Sequence, residues 1–369
     1  MRISTLAAGL ALLLAPPVRG VAQAPATASF EVGFASRHVL PPEPYNWRGA
    51  ASHSLFDVVW YPADAGARTQ PQLIPPFGPA IFHAAAAAPE APMAARPRKF
   101  PLILLSHGTG GTAQSIAWFA TALGARGYIV AAVNHPGNNA IEPHTVQGFM
   151  LWWLRANDLS AVLNDLLTDP TFGPRIDRAR IGAAGFSLGG YTMFELAGAK
   201  TSLAHFEETC RAKPEQVSCK APPEFPDLLA KSTALAASDP GYAKAQRRAG
   251  VSYRDRRIRA VFTMAPALGP AFTPATLKTI AIPVAIVAGA DDSIVPVDAN
   301  AKYYAAQIPR AALTLLPGGV DHYTFLDECT PEGVSTVPQL CADRPDVDRA
   351  AVHKQAIDLA AKFFADALH

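Results

Sequence analysis

From about residue 100 onward, apolar runs of five to eight residues alternate with longer amphipathic stretches. This is the pattern of strand-helix-strand units on a mostly parallel sheet flanked by helices. The runs FDVVWYP (56–62), FPLILLSH (100–107), YIVAAVN (128–134), RIGAAGF (180–186), RAVFTMAP (259–266), PVAIVAGA (283–290) and ALTLLPG (312–318) predict strands. Helical spacing predicts helices over 112–126, 149–167, 188–199, 298–307 and 346–368. Two stretches break the alternation. Residues 64–98, rich in Ala and Pro, predict a long loop; residues 200–255 carry short helical pieces and a Pro cluster and predict a lid-like insertion between strands. Irregular segments of that length usually serve a function, here the shaping of a pocket.

The length of 369 residues, with 50% hydrophobic and 17% charged, suits one α/β domain with a large core, and no Gly/Ser linker or charge run divides it. The opening MRISTLAAGLALLLAPPVRGVAQAPATA has a basic Arg2, an apolar run too short to span a bilayer and small residues after it, which reads as a secretory signal over 1–24. Ala22-Gln23-Ala24 and Ala26-Thr27-Ala28 compete as the cleavage motif, so the cut falls near 20–28 and the α/β domain, with its insertion at about 200–255, spans 25–369. A buried N-terminal helix is the rival reading. Removing Arg2 and Arg19 leaves 30 basic against 30 acidic residues, so the mature chain is near neutral, without a nucleic-acid footprint or a transmembrane segment. The basic cluster around 247–259 reads as a solvated loop.

Cys210, Cys219, Cys329 and Cys341 fall as two locally spaced pairs in polar stretches, as an exported protein with two disulfide-closed loops would place them. Of the three possible pairings, 210 with 219 and 329 with 341 each close a short insertion. A zinc site would want a CxxC or clustered histidines, and neither occurs.

Ser187 sits in GFSLGG, between a short apolar strand and a helical stretch, where a sharp turn lifts a serine for attack. Gly185 and Gly189 remove side chains that would collide with neighbouring backbone. Such a serine needs a base and a group to orient it, in the chain order acid then histidine. GADDSIVP ends an apolar run and supplies the acid: Asp292, which leads into the SIVP turn, is preferred over Asp291, which takes a turn role. His322 in GGVDHYTF, again just past a strand, is the base. His107 and His135 end earlier strands and could line the pocket, whereas His144 and His353 read as surface residues. The oxyanion donors would be the N–H groups of Leu188, after the nucleophile, and Thr109, in the loop HGTGG. That loop lacks the GxxxxGK[ST] and GxGxxG patterns of phosphate cradles. The aromatics of GFMLWWLRAND, with Trp118, form either a hydrophobic pocket wall or helix-packing core. Arg155 and Asp158, three apart on one helix, read as a local ion pair.

With HGTGG, GFSLGG, GADDSIVP and GGVDHYTF together, the chain resembles the α/β-hydrolase superfamily over nearly all of its mature length. Its VVWYP and LLSHGTGG segments are similar to a bacterial dienelactone-hydrolase-like group related to platelet-activating-factor acetylhydrolase. Dienelactone hydrolases use a cysteine nucleophile where this chain has Ser187, so their substrate does not carry over. DSIVP is also similar to a segment of cutinase-like polyester hydrolases, although GFSLGG departs from their usual GHSMGG. The expectation is a secreted or periplasmic serine esterase without a cofactor, acting on short or accessible acyl esters, including lipid-like or polyester ones. An amidase or peptidase on the same residues, and a non-catalytic binder on a hydrolase scaffold, are the alternatives.

Overall fold

The computed structural model describes residues 29–75 and 78–369, so the expected export signal lies outside the described residues. Among these, eleven strands form one sheet. They are β1 (Glu31–Val39), β2 (Leu55–Ala63), β3 (Gln70–Ile74), β4 (Phe82–Pro89), β5 (Phe100–Ser106), β6 (Ile129–Val133), β7 (Ile176–Phe186), β8 (Val261–Met264), β9 (Val284–Gly289), β10 (Ala311–Leu316) and β11 (Glu328–Cys329). The order is β10-β9-β8-β7-β5-β6-β2-β1-β4-β11, with β3 also paired to β4. From β10 to β6 all neighbours are parallel, and β2 joins β6 and β1 antiparallel. The fold is thus the α/β-hydrolase architecture expected.

The parallel strands are buried on both faces, which explains their unbroken apolar runs. Period-two alternation sends Leu102 and Leu104 of β5 into one core, and Ile103 and Leu105 into the other. The first core packs against α3 (Arg155–Thr168) through Leu159, Val162 and Leu163, and against α4 (Leu188–Ala197). The second packs against a helix over Ala117–Ala125 and a C-terminal helix over Arg349–Ala367 that contributes Phe364.

Residues 64–98 are not a loop: they hold β3 and β4. The FHAAAAAP of β4 has weak intrinsic strand preference, and pairing with β1, β3 and β11 imposes the extended state. The strand β1 was likewise not predicted. The 149–167 helix is broken into Val146–Met150, a 3-10 turn over Trp152–Leu154, and α3. Residues 200–255 contain helices Leu203–Ala212, Leu228–Ser238 and Pro240–Gln246 and no named strand. Both local disulfides are present, Cys210–Cys219 and Cys329–Cys341. No described helix is long and apolar enough to cross a membrane.

Register aligns the strand ends that matter: Ser106 of β5 lies beside Gly185 of β7, Phe186 beside Met264 of β8, and Leu316 of β10 beside Gly289 of β9. Residues that follow these carboxyl ends therefore gather at one rim, where open α/β sheets bind ligands.

Candidate active site

Ser187 links β7 to α4 with φ 54° and ψ −119°, a region that costs a non-glycine residue free energy unless its surroundings impose it. Here they do. Its N–H donates to the Met264 carbonyl at 2.9 Å, and its carbonyl accepts from the N–H groups of Gly190 at 2.8 Å and Ala267 at 3.0 Å. The flanking glycines are required sterically: a Cβ on Gly185 would lie 2.2 Å from the Gly189 carbonyl oxygen, and one on Gly189 only 2.0 Å from that of Ser106.

His322 opens a 3-10 turn, His322–Phe325, beyond β10. Its Nε2 lies 3.0 Å from Ser187 Oγ and its Nδ1 2.8 Å from Asp292 Oδ2. The tautomer with hydrogen on Nδ1 satisfies both contacts, donating to the carboxylate and accepting from the hydroxyl. The other oxygen of Asp292 accepts from the N–H groups of Ile294 at 3.1 Å and Val295 at 2.6 Å, so its orientation is fixed. Asp291 points elsewhere: its side chain is 48% exposed, accepts from the Gly319 N–H at 3.1 Å and faces Arg344.

The histidine turn is held from several sides by residues whose part in it no sequence motif marks. Asp321 accepts from the N–H groups of His322 and Ser293, both at 2.7 Å, tying His322 to the turn that carries Asp292. Asp327 accepts from the N–H groups of Ala117 at 3.0 Å and Trp118 at 2.7 Å, joining the far end of that segment to a helix N-terminus. Trp118 itself donates from Nε1 to the Phe325 carbonyl at 2.9 Å and stacks on His353 at 3.9 Å. His353 is therefore not a surface residue; it is buried, its Nε2 lies 2.9 Å from the Thr324 carbonyl oxygen, and burial pushes its pKa down to about 4. No sequence spacing connects residues 118, 327 and 353.

The HGTGG loop passes beside Ser187, since a Cβ on Gly108 would come within 3.2 Å of Ser187 Cβ. Among the described residues, neither the Thr109 N–H nor the Leu188 N–H donates to a backbone acceptor. His107, at the head of this loop, and His135 are both fully buried, and burial, then the nearby Arg155, hold both well below the usual imidazole range. Arg155 and Asp158 do not pair as expected. Asp158 takes Arg48 instead, at 2.7 Å, from 110 residues away. The aromatics of 149–153 are packing core: Phe149, Trp152 and Trp153 are buried, and Trp152 packs edge-on against Tyr191 and Phe206.

The 200–255 segment reaches the rim. Glu224 Cγ lies 3.6 Å from the position a Cβ on Gly110 would take, His144 lies 3.9 Å from the same point, and Phe225 packs edge-on against Phe149. Burial, then the carboxylates of Glu224, Asp292 and Asp321, push the Tyr323 hydroxyl up to about 12, which places Glu224 within electrostatic reach of the histidine turn. Among the described residues no cluster of His, Cys, Asp or Glu has the makings of a metal site.

Asp292, His322 and Ser187 thus stand in hydrogen-bonded sequence at one rim of the parallel sheet, Ser187 on its strand-to-helix turn, which is the geometry that serine hydrolysis would require. The chain belongs to the alpha/beta hydrolase family, whose family model matches residues 102–336. Among solved structures it is similar in fold to a ferulic acid esterase from Streptomyces cinnamoneus, with 20% identity, a TM-score of 0.58, and coverage of 94% of this chain and 92% of that one. No curated protein sequence matches it.

Proposed function

We propose that this protein is a serine-dependent carboxylic ester hydrolase that works through an acyl-enzyme. The observation carrying this reading is the unbroken contact from Asp292 through His322 to Ser187, at 2.8 Å and 3.0 Å. Ser187 Oγ attacks the ester carbonyl carbon while His322 Nε2 takes its proton. Asp292 holds the ring and stabilises the imidazolium. Charge developing on the carbonyl oxygen is met by the N–H groups of Leu188 and Thr109. Collapse of the tetrahedral species expels the alcohol, which leaves with the proton from His322; water, deprotonated by the same nitrogen, then attacks the acyl carbon and releases the acid. The reaction needs no cofactor.

Short or accessible acyl groups are the proposed substrates, a reading supported by the 200–255 segment, which brings Glu224 to the rim beside Gly110. Aromatic acids join the list through the fold neighbour, which is a ferulic acid esterase. The similarity to the dienelactone-hydrolase-like and platelet-activating-factor acetylhydrolase-like group keeps short-chain lipid esters in view, with Ser187 in place of cysteine excluding a dienelactone substrate by analogy. Two disulfides suit an oxidising compartment, and we assign the protein to the periplasm or the exterior on that ground together with the leader-like opening sequence.

The test is turnover of a panel of acetyl, butyryl, feruloyl and short-chain phospholipid esters by wild type and Ser187→Ala, with an amide of the best acyl group in parallel. Ester turnover abolished by the substitution is expected. Amide turnover matching the ester would reassign the protein as an amidase, and a folded wild type inert towards all of them would favour a binding role.

A further inference from the structure

The loop that carries Thr109 is gripped from behind in a way the reaction described above does not use. His107 Nδ1 lies 2.6 Å from the Gly108 carbonyl oxygen, to which it donates. In a planar trans peptide the N–H points opposite to the C=O. Holding the Gly108 carbonyl inward therefore turns the Thr109 N–H outward.

The peptides on either side are fixed by one guanidinium. Arg155, only 1% exposed, donates from Nη2 to the His107 carbonyl oxygen and to Ser106 Oγ at 3.3 Å, and from Nη1 to Asn138 Oδ1 at 3.2 Å. That same Oδ1 accepts the Gly110 N–H at 3.0 Å. The carbonyl before the Thr109 peptide and the N–H after it are thus held through a single buried cation.

Behind it lies a second serine-histidine-aspartate series. Ser106 Oγ is 2.9 Å from His135 Nε2, and His135 Nδ1 is 2.7 Å from Asp158 Oδ2. All three residues are completely buried, so they meet no substrate and serve as scaffold. Asp158 is paired from the other side with the Arg48 guanidinium and accepts a further hydrogen bond from the Tyr45 hydroxyl. Among the described residues Arg155 has no carboxylate within ion-pair distance, and its Nε has no acceptor. A fully buried cation bonded only to neutral oxygens is a costly arrangement for simple packing. It is the arrangement that would orient a peptide dipole towards a developing negative charge and add a fixed positive field beside it.

We propose that Arg155 and Asn138 are positioning residues of the oxyanion site: they hold residues 107–110 so that the Thr109 N–H faces the charge that develops on the substrate oxygen. This rests on the esterase reading above. Lysine in place of arginine keeps the charge but cannot grip three oxygens in one plane.

The experiment compares an ester with its thionoester, whose sulfur is a poor hydrogen-bond acceptor, in wild type, Arg155→Lys and Asn138→Ala. For the oxo ester, kcat should fall about 10- to 100-fold with KM nearly unchanged, part of the loss seen when one oxyanion donor is deleted. The thionoester should lose much less, so the oxo/thiono rate ratio drops by most of that factor. Equal losses on both substrates, or no loss on either, overturn the proposal. Should Arg155→Lys fail to give a cooperative thermal melt, Asn138→Ala, which leaves the cation in place, decides the matter alone. A wild type that does not turn over the oxo ester refutes the esterase reading itself, an outcome distinct from wild-type activity with an unchanged ratio in the variants.

Discussion

Replacing Asp292 by asparagine separates orientation from shape. The side chain keeps its size, and its environment dictates how the amide sits. Two backbone N–H groups, of Ile294 and Val295, point at Oδ1 at 3.1 Å and 2.6 Å. The amide oxygen must occupy that place, because an NH2 there would face two donors. The NH2 then falls where Oδ2 stood, 2.8 Å from His322 Nδ1. To avoid a donor-donor contact the ring moves its hydrogen to Nε2, the atom that must accept from Ser187 at 3.0 Å. The base is disabled while every heavy atom stays in place. An enzyme built this way loses on the order of 10⁴ in kcat from that change, about 5 kcal/mol of transition-state stabilisation. The assay is steady-state hydrolysis of the best ester, with a thermal melt to verify that folding is intact. Asp291→Asn is the control: Asp291 is half exposed and bonded to the Gly319 N–H, so its loss should change kcat by less than about threefold. An Asp292→Asn protein within tenfold of wild type, or one outperformed by a crippled Asp291→Asn, would refute the assignment of the acid.

Other expectations follow from the same contacts. Gly189→Ala, whose Cβ would meet the Ser106 carbonyl at 2.0 Å, should cost at least about 100-fold in ester turnover by displacing both the Ser187 turn and the loop that starts at His107. Gly250→Ala, whose nearest contact is an ordinary 3.7 Å, should be tolerated, as activity and melting temperature would show. Burial raises the Glu195 carboxyl from 4.5 to about 8, so the folded state keeps a proton that the unfolded chain sheds. Its contribution to stability is therefore present at low pH and is lost as pH climbs from about 4.5 to about 8. Relative to Glu195→Gln, which retains an oxygen for Tyr191 and Thr201, wild-type melting temperature should fall progressively over that window, and parallel curves would contradict the shift. Replacing Cys210 and Cys219 with serine should lower stability by about 2–3 kcal/mol on the loop-closure account. Faster proteolysis should then map to 200–225, because the helix carrying Cys210 buries none of its residues.

The features legible in the sequence are those whose cause is local. Five-residue motifs around Ser187 and Asp292 carry the backbone requirements of a tight turn, and strands buried on both faces must be continuously apolar, so the parallel half of the sheet and the three residues at its rim could be placed. The disulfide pairing followed from short spacing. What failed was set by distant partners. The alanines of β4 become a strand only because β1, β3 and β11 offer ladders on either side. Arg155 reads as the local ion-pair partner of Asp158, yet the carboxylate is claimed by Arg48, and Arg155 turns instead to the His107 carbonyl. The tryptophans near residue 152 read first as core, with a pocket wall as the rival, and the packing of Tyr191 and Phe206 against Trp152 decides for the core. Glu224 at the rim was hidden because nothing local marks where an inserted segment comes to rest.

The central claim, that the hydroxyl at position 187 becomes a nucleophile through its contact with His322, is met most directly by intact-protein and peptide mass spectrometry after exposure to a fluorophosphonate. The account predicts one adduct per chain, located on Ser187, formed rapidly by wild type and lost or strongly slowed in His322→Ala. A folded wild type that stays unmodified, or a label found on any other residue, would contradict it.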